Sequence, residues 1–330
     1  MTGDPLINAV RKLTVDEYFD EWLLAVEYRA SSGWRHCQKQ FYRKYIQPVI
    51  GSKRLQSVRP EAIASVLGRT ARAGKSEQTQ LHIFNLMRKM FGDAVELFQF
   101  VTHNPVLRTL KPKVPKKEAK FLTPNQVRTL LYAVTGKPYD SAIWVQLYLG
   151  LRVSEVIALK WSDLDLENGV ALICRSYSRK DSWVAGTKIF KNYPKGGKQH
   201  RRLIPRELLV FLLDKRTNSS SEFVAVSPLG EMLSYEFYLE NLKRYCREAG
   251  ITEIGTHGLR HSASELYIHH GATEDDIRRL FAHSSPEITA RYLHTRGKNL
   301  DRVVKEINVF PSGSTTNRPR LPEMGRCNNQ

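Results

Sequence analysis

The stretch THGLRHSASELYIHHGATEDDIRRLFAHSSPEITARYLH, residues 256–294, decides the fold. Its apolar residues recur at helical spacing and predict successive helices that begin near Thr256, Thr273 and Ser285. Gly271 ends the first of them. Because only a few residues separate the helices, we expect short connections that bring their ends close together.

Four polar side chains of this stretch form a candidate site. His257 and Arg260 are three residues apart on one predicted helix, so they project from the same face. His283 ends the next helix, and Tyr292 lies nine residues further on. Each alone is more often a packing or capping residue. Together, in a basic protein, they indicate chemistry on a small anion such as a DNA phosphate.

The charge balance favours a polyanionic partner. The chain has 51 Lys and Arg against 33 Asp and Glu, a formal charge of +18. Nucleic acid is the first candidate, with DNA ahead of RNA or an anionic membrane surface. The four cysteines lack CxxC or Cys/His spacing, which predicts neither a zinc site nor a disulfide framework.

No apolar run is long enough for a bilayer, and the N-terminus lacks a secretory signal. We therefore expect a soluble cytoplasmic protein without a membrane partner, associated with the nucleoid when it binds DNA.

The first hundred residues predict a four-helix unit. A capping box at Thr14 and Glu17 opens the first helix, and Pro48 is expected to end the second. Pro60 begins the third, and residues 80–100 form a long fourth.

Residues 111–120 form a linker rich in proline and lysine. One interpretation is a solvated spacer. The other is a strap that crosses a duplex, with Lys113, Lys116 and Lys117 on its phosphates.

A second helical region begins at a capping box of Thr123 and Gln126. Gly150 is expected to end an apolar helix, and Ser154 to cap the short helix that follows. Strands are expected at residues 170–175, 184–189 and 201–204, and later helices near Leu208 and Ser234.

Phosphoryl chemistry assigns a role to each residue type. Arginine neutralises charge that grows on a phosphate in its transition state, a role that suits Arg152 and Arg260. A tyrosine hydroxyl can attack phosphorus, a histidine can take up its proton, and a lysine can protonate the leaving oxygen. Metal ligands are not required, because the arginines carry the neutralisation. Arg152 and Glu155 could alternatively be an ordinary intrahelical ion pair.

Three motifs resemble those of the tyrosine recombinases, which include phage and transposon integrases and the Xer recombinases. Leu149-Gly-Leu-Arg152-Val-Ser-Glu155 resembles their first arginine box, and Thr256-His257-Gly-Leu-Arg260-His261 resembles their His-x-x-Arg box. Ala282-His283-Ser-Ser-Pro, followed by Tyr292-Leu-His, resembles their terminal histidine and nucleophile box. The resemblance extends from about residue 12 to residue 310, and Ala282 departs from the glycine usual at its position.

The resemblance implies catalytic roles. Tyr292 is expected to be the nucleophile, and Arg152 and Arg260 to bind the scissile phosphate, with Glu155 supporting them. His257 and His283 are expected to handle protons and contact the phosphate.

The family's catalytic lysine lies in a turn between strands, which corresponds here to Pro194–Pro205. Lys195 matches its proline-lysine start, and Lys198 is the alternative. Residues 176–192 are longer and more polar than a minimal strand pair needs.

The expected fold is mainly α with a small antiparallel β-sheet (α+β). Residues 1–110 would form a four-helix core-binding domain, 111–120 a basic linker, 121–310 the tyrosine-recombinase catalytic domain and 311–330 a disordered tail. The apolar spacing of residues 300–310 is compatible with docking onto a neighbouring subunit or with packing in its own. The start of the chain leaves little room for a separate arm-binding domain, which favours a simpler integrase or a mobile-element recombinase.

The activity implied is site-specific recombination through a covalent 3′-phosphotyrosine and a Holliday junction, without a metal or other cofactor. The implied partners are double-stranded DNA with a specific site, three further copies in a homotetramer, and an accessory DNA-bending or directionality protein as an optional factor. The alternatives are a type IB topoisomerase and a noncatalytic DNA-binding protein on the same fold.

Overall fold

The computed structural model describes residues 12–115, 120–194, 198–281 and 298–310. The chain divides into two compact units. Among the described residues, the first unit contains those up to 115 together with Lys180–Thr187, and the second unit contains the rest. The expected helix from Ser285 and the expected tail, residues 311–330, lie outside the described residues.

Three helices of the first unit begin where the sequence supplies a capping side chain. The Thr14 hydroxyl accepts a hydrogen bond from the Glu17 backbone N–H at 3.2 Å, and the Glu17 carboxylate accepts one from the Thr14 N–H at 2.7 Å. This confirms the predicted capping box. Ser31 and Ser76 cap later helices in a similar way. The helices are α1 (Val15–Ala25), α2 (Ser32–Phe41), α3 (Gln47–Ile50), α4 (Pro60–Arg72) and α5 (Glu77–Glu96).

The prediction that Pro48 ends a helix is wrong. Residues Tyr42–Ile46 form a π-helical turn, in which the Gln47 N–H donates to the Tyr42 carbonyl, and α3 continues through Pro48. Proline lacks an N–H, and its ring crowds the carbonyl four residues back. A turn widened by one residue lets the helix pass this point.

A buried carboxylate joins α1 to α5 in the first unit. Asp93 of α5 accepts a hydrogen bond from the Trp22 indole N–H at 2.7 Å. Arg29 lies 3.2 Å from the same carboxylate, and Lys89 also pairs with it. Because the charge is compensated, Asp93 can remain in the interior beside the fully buried Trp22.

One of the helices that follow residue 120 is largely apolar. The capping box of Thr123 and Gln126 is confirmed, as is the left-handed Gly150 at the end of the apolar helix. That helix is buried along its whole length. The helices are α6 (Pro124–Val134), α7 (Asp140–Leu149), α8 (Val153–Ala158), α9 (Arg179–Ala185), α10 (Arg206–Thr217), α11 (Tyr235–Glu248), α12 (Thr256–His269), α13 (Glu274–Phe281) and α14 (Lys298–Glu306).

Two small antiparallel sheets accompany these helices. The strands are β1 (Leu164–Asp165), β2 (Val170–Ile173), β3 (Ser176–Tyr177), β4 (Phe190–Lys191) and β5 (His200–Leu203). One sheet has the order β1-β2-β5, and β3 pairs with β4 in the other. His200 lies opposite Ile173, and Arg202 lies opposite Ala171. The expected class, mainly α with a small antiparallel sheet, is confirmed.

The strand predicted at residues 184–189 is wrong. Helix α9 occupies residues 179–185 instead. Within the first unit the buried Asp181 carboxylate accepts hydrogen bonds from the Gly33 N–H at 2.6 Å and the Ser32 hydroxyl at 3.1 Å. A distant contact at the start of α2 thus competes with the local β-propensity.

Residues 300–310 pack within their own subunit. Val303, Ile307 and Phe310 are buried in the core of the second unit. The Glu207 carboxylate accepts hydrogen bonds from the N–H groups of Val309 at 2.9 Å and Phe310 at 3.0 Å. Within this chain these residues thus belong to the core of the second unit, and docking onto a neighbouring subunit stays a prediction.

Candidate active site

The first arginine motif sits where α7 gives way to α8. Arg152 immediately precedes α8, and the buried Glu155 accepts hydrogen bonds from its backbone N–H at 2.9 Å and its guanidinium at 3.1 Å. Glu155 therefore satisfies the backbone at the start of this helix. The prediction that Ser154 is the cap is wrong, because Ser154 lies inside α8.

Arg260 of α12 connects the first arginine motif to the end of α13. Its guanidinium donates to the Gly150 carbonyl at 2.7 Å and to the Phe281 carbonyl. The same group lies over the Phe281 ring and 3.8 Å from Glu155. Burial, reinforced by the nearby Arg152, lowers the pKa of Arg260 to about 10, so the side chain keeps its charge at neutral pH.

Glycine is required at position 150 for two reasons. Its φ is +58°, in the left-handed region that side chains other than glycine rarely occupy. A Cβ at this position would also overlap the ring of Phe281. Gly150 therefore lets the end of α13 lie directly against the arginine motif.

His257 lies in the first turn of α12 and is exposed, whereas Arg260 is buried one turn later. The His257 ring meets the His261 ring edge-on, with centroids 4.5 Å apart. Between them, Gly258 allows a close approach of the chain, because a Cβ there would lie 2.6 Å from the Lys120 carbonyl oxygen. The start of the second unit therefore runs beside this histidine.

Strand β5 contributes two polar residues that the sequence reasoning missed. Arg202 is only 4% exposed. Burial lowers its pKa to about 10, with Tyr267 and Glu155 opposing the shift and Arg152 adding to it. Burial, and then Arg202, lower the pKa of His200 to about 4, so this imidazole is neutral at pH 7. Arg152, Arg202 and Arg260, with Glu155 among them, are called the arginine cluster below.

Gln146 was also missed. This buried side chain of α7 donates to the carbonyls of Leu151 at 3.2 Å and Thr256 at 3.0 Å. Its own carbonyl accepts from the Tyr238 hydroxyl at 2.7 Å. Gln146 thereby holds the segment before Arg152 to the start of α12. A polar residue inside an apolar run was the available signal, because a buried amide must find partners.

The predicted site residues fall into three groups. Arg152, Glu155 and Arg260 lie together, with His257 exposed on the same helix as Arg260. Lys198 and Lys113 are exposed, Lys198 two residues before β5 and Lys113 in a segment without regular secondary structure. The remaining predicted residues, Lys116, Lys117, Lys195, His283 and Tyr292, lie outside the described residues.

The arginine cluster is suited to holding an anion. Arg152 and Arg260 lie within 4 Å of the single carboxylate of Glu155, and Arg202 interacts with it electrostatically, so positive charge is in excess. Within the described residues, no three His, Cys, Asp or Glu side chains form a group that could hold a metal ion. Nor is any helix in this part of the chain long and apolar enough to cross a membrane.

Comparison with solved structures identifies the fold. The integrase of the Tn1549 transposon, in complex with a circular intermediate DNA, superposes with a TM-score of 0.72 at 17% sequence identity, covering 88% of this chain and 98% of that one. A lambda integrase tetramer bound to a Holliday junction matches with a TM-score of 0.65 at 18% identity, covering 88% of this chain and 81% of that one. At these identities the likeness shows a shared fold.

Sequence comparison identifies the family. The tyrosine recombinase XerA of Pyrococcus furiosus is 32% identical over 210 residues, which cover 62% of this chain and 67% of that protein. The model of the phage integrase family matches residues 120–298, more than half of the chain and the whole of the arginine cluster. The chain belongs to the phage integrase family and is a tyrosine recombinase, an enzyme of site-specific DNA recombination.

Proposed function

We propose that the chain cleaves a DNA strand by attack of Tyr292 on the scissile phosphate and then rejoins it to a new partner strand. The observation that carries this proposal is the position of Arg260. Its guanidinium bonds to Gly150, two residues before Arg152, and to Phe281, two residues before His283. The first arginine motif and the end of α13, which directly precedes the third motif in sequence, are thereby tied to the arginine of the second motif.

The proposed reaction is a pair of transesterifications. The Tyr292 oxygen forms a bond to phosphorus while the bond from phosphorus to the 5′ oxygen breaks, giving a 3′-phosphotyrosine and a free 5′-hydroxyl. Attack by a 5′-hydroxyl on the phosphotyrosine reverses these changes and restores the phosphodiester. Because the bond energy is stored in the protein–DNA linkage, no external energy source is needed.

The side chains divide the work of this reaction. Arg152 and Arg260 neutralise the charge that grows on the non-bridging oxygens, and Glu155 orients Arg152. His257 and His283 take up the tyrosine proton and contact the phosphate. Lys195, or alternatively Lys198, donates the proton that the departing 5′ oxygen requires. The arginines supply the charge neutralisation that a metal supplies in other phosphoryl-transfer sites.

We propose that four copies assemble on two synapsed duplexes and exchange strands in pairs through a Holliday junction. The lambda integrase tetramer bound to a Holliday junction, which shares this fold, supports that assembly. An accessory DNA-bending or directionality protein would be an optional further partner. We place the protein in the cytoplasm, on the nucleoid when it is bound to DNA.

Residues 1–110 are proposed to form the core-binding domain that clamps DNA and residues 121–310 the catalytic domain, with residues 111–120 as a basic linker that contacts phosphates. Lys113 is exposed, and the described part of this linker lacks regular secondary structure, both of which suit contact with phosphates. Replacing Lys113, Lys116 and Lys117 by glutamine should weaken binding to all DNA sequences and flatten its salt dependence. Unchanged binding would leave the linker as a spacer.

A nicked suicide substrate tests the proposed function. When cleavage releases a short fragment, rejoining is prevented and the covalent complex accumulates. We expect a 3′-phosphotyrosyl adduct with a DNA site selected from a library of candidate sites, in the presence of a chelator, and none with Tyr292→Phe. An adduct that persists in Tyr292→Phe, or that disappears with the chelator, would reject the mechanism. DNA binding without any adduct would favour the noncatalytic alternative.

A further inference from the structure

Arg202 occupies an environment that packing alone does not explain. Its side chain is buried, and its Nε has no hydrogen-bond partner within the described part of the chain. Its neighbour on the same face of β5, His200, has a buried Nε2 without a partner there either. An unpaired buried cation is costly, and a methionine would fill a similar volume without that cost.

The charges around Arg202 are unbalanced. Glu155 favours the charged form of Arg202, and Arg152 opposes it, so these groups act on one another. Arg260 is also affected by Arg202. Among the described residues, Glu155 is the one carboxylate that lies within 4 Å of Arg152 and Arg260 and also acts electrostatically on Arg202. The arginine cluster therefore carries two positive charges more than negative ones.

The net charge of the arginine cluster matches the charge of the transition state better than the charge of the bound phosphodiester. A phosphodiester carries one negative charge, and a pentavalent phosphorane carries two. Without Arg202, Glu155 would neutralise one of the two remaining arginines, and the cluster would match the ground state. With Arg202 present, the cluster matches the charge that appears only during the reaction. Interactions that are stronger in the transition state accelerate the chemical step.

We propose that Arg202 is a positioning residue of the recombinase site, whose positive charge offsets that of the Glu155 carboxylate and so leaves the charges of Arg152 and Arg260 to neutralise the phosphorane. This inference rests on the proposed function. It makes Arg202 a determinant of the cleavage rate rather than of DNA affinity. It also predicts that substitution of Arg202 slows cleavage, whereas substitution of Arg201, which is exposed on the opposite face of β5, does not.

The test compares Arg202→Met, Arg202→Gln and Arg202→Lys in the full-length protein, with Arg201→Met as the matched control. Single-turnover adduct formation is measured on the suicide substrate and on one whose scissile phosphate is a methylphosphonate, which lacks the ground-state negative charge. On the phosphodiester, Arg202→Met should react about 10- to 100-fold more slowly, less than the loss of a directly contacting donor. Arg202→Lys should recover most of the rate.

On the methylphosphonate, wild type and Arg202→Met should differ by less than about threefold, because its phosphorane carries one negative charge instead of two. The affinity of Arg202→Met for DNA in the noncovalent complex should also differ from that of wild type by less than about threefold. The control Arg201→Met should react at the wild-type rate on each of the two substrates. Equal losses on both substrates would mean that Arg202 has only a structural role, and an unchanged phosphodiester rate would overturn the proposal.

A second measurement does not depend on strand cleavage. At matched ionic strength, the dianion of inorganic phosphate should stabilise the DNA-free wild-type protein against heat more than dimethyl phosphate does, since the latter carries one charge. Arg202→Met should lose this preference, and Arg202→Lys should keep it. If the preference is absent in wild type, the inference about Arg202 fails. If it is present but no Tyr292 adduct ever forms, the proposed function fails instead.

Discussion

Removing the Glu155 carboxylate is the most informative perturbation of the site. In Glu155→Ala, Arg152 loses both of the hydrogen bonds it donates to this side chain, and Arg260 loses its nearest carboxylate. The change leaves the surrounding apolar residues in place. Its effect on stability therefore reports the electrostatic balance of the arginine cluster.

The magnitude follows from two contributions. Removing one partner of a buried ion pair costs about 3–5 kcal/mol, and the lower end applies here because the Arg152 side chain is 23% exposed. Loss of the backbone cap at the start of α8 adds about 1 kcal/mol. We expect the free energy of unfolding of the second unit to fall by about 4 kcal/mol. For a domain of this size, that lowers its Tm by roughly 10 °C.

Differential scanning calorimetry of the full chain would measure this change. Glu155→Gln is the control, because its amide oxygen can still accept from the Arg152 N–H while the charge is lost. Its Tm should lie between those of wild type and Glu155→Ala. Added sulfate should raise the Tm of both variants more than that of wild type, since an anion can replace the missing carboxylate. A loss below about 1 kcal/mol in Glu155→Ala, without sulfate rescue, would refute the charge argument.

Three further predictions concern other parts of the site. Gly150→Ala should lower the free energy of unfolding by at least about 2 kcal/mol in urea titrations, because it combines a left-handed backbone with overlap on the Phe281 ring; a loss below half of that would show that the ring moves away easily. The pKa of His200 is lowered to about 4 in the folded protein, so between about pH 4 and 6.5 the unfolded chain binds a proton that the folded chain does not. The free energy of unfolding of wild type should therefore fall by up to about 3 kcal/mol relative to that of His200→Gln as the pH is lowered from 7 to 4. Parallel curves of stability against pH for the two proteins would contradict this. Lys195→Ala should impair cleavage of an ordinary suicide substrate, and a 5′-phosphorothiolate leaving group should restore it; the same behaviour in Lys198→Ala alone would reassign the proton donor.

Local signals in the sequence were sufficient for several elements. The capping boxes at Thr14 and Thr123 depend on side chains three residues apart, and the end of α7 depends on Gly150 alone. Such features require no knowledge of distant residues. The pairing of Arg152 with Glu155 is local in the same sense, whatever function it serves.

Predictions failed where a contact with a distant residue, or a π-helical turn in the backbone, decided the structure. Helix α9 replaces the predicted strand where Asp181 bonds to Ser32 and Gly33, almost 150 residues earlier. The π-helical turn before Pro48 removes the conflict that a local rule takes as a helix end. Arg202 was missed because alternation along β5 separates His200 and Arg202 from Arg201 but does not reveal which face is buried.

Arg260 is held by two main-chain carbonyl oxygens, those of Gly150 and Phe281. Carbonyl groups are the same in every residue, so side chains around this arginine can be exchanged without loss of the groups that orient it. Redesign of the DNA-facing surface can therefore vary most neighbouring positions, provided that Gly150 and the path of α13 are kept. The same anchoring offers a reason why a common fold is compatible with only 17% identity to the Tn1549 integrase.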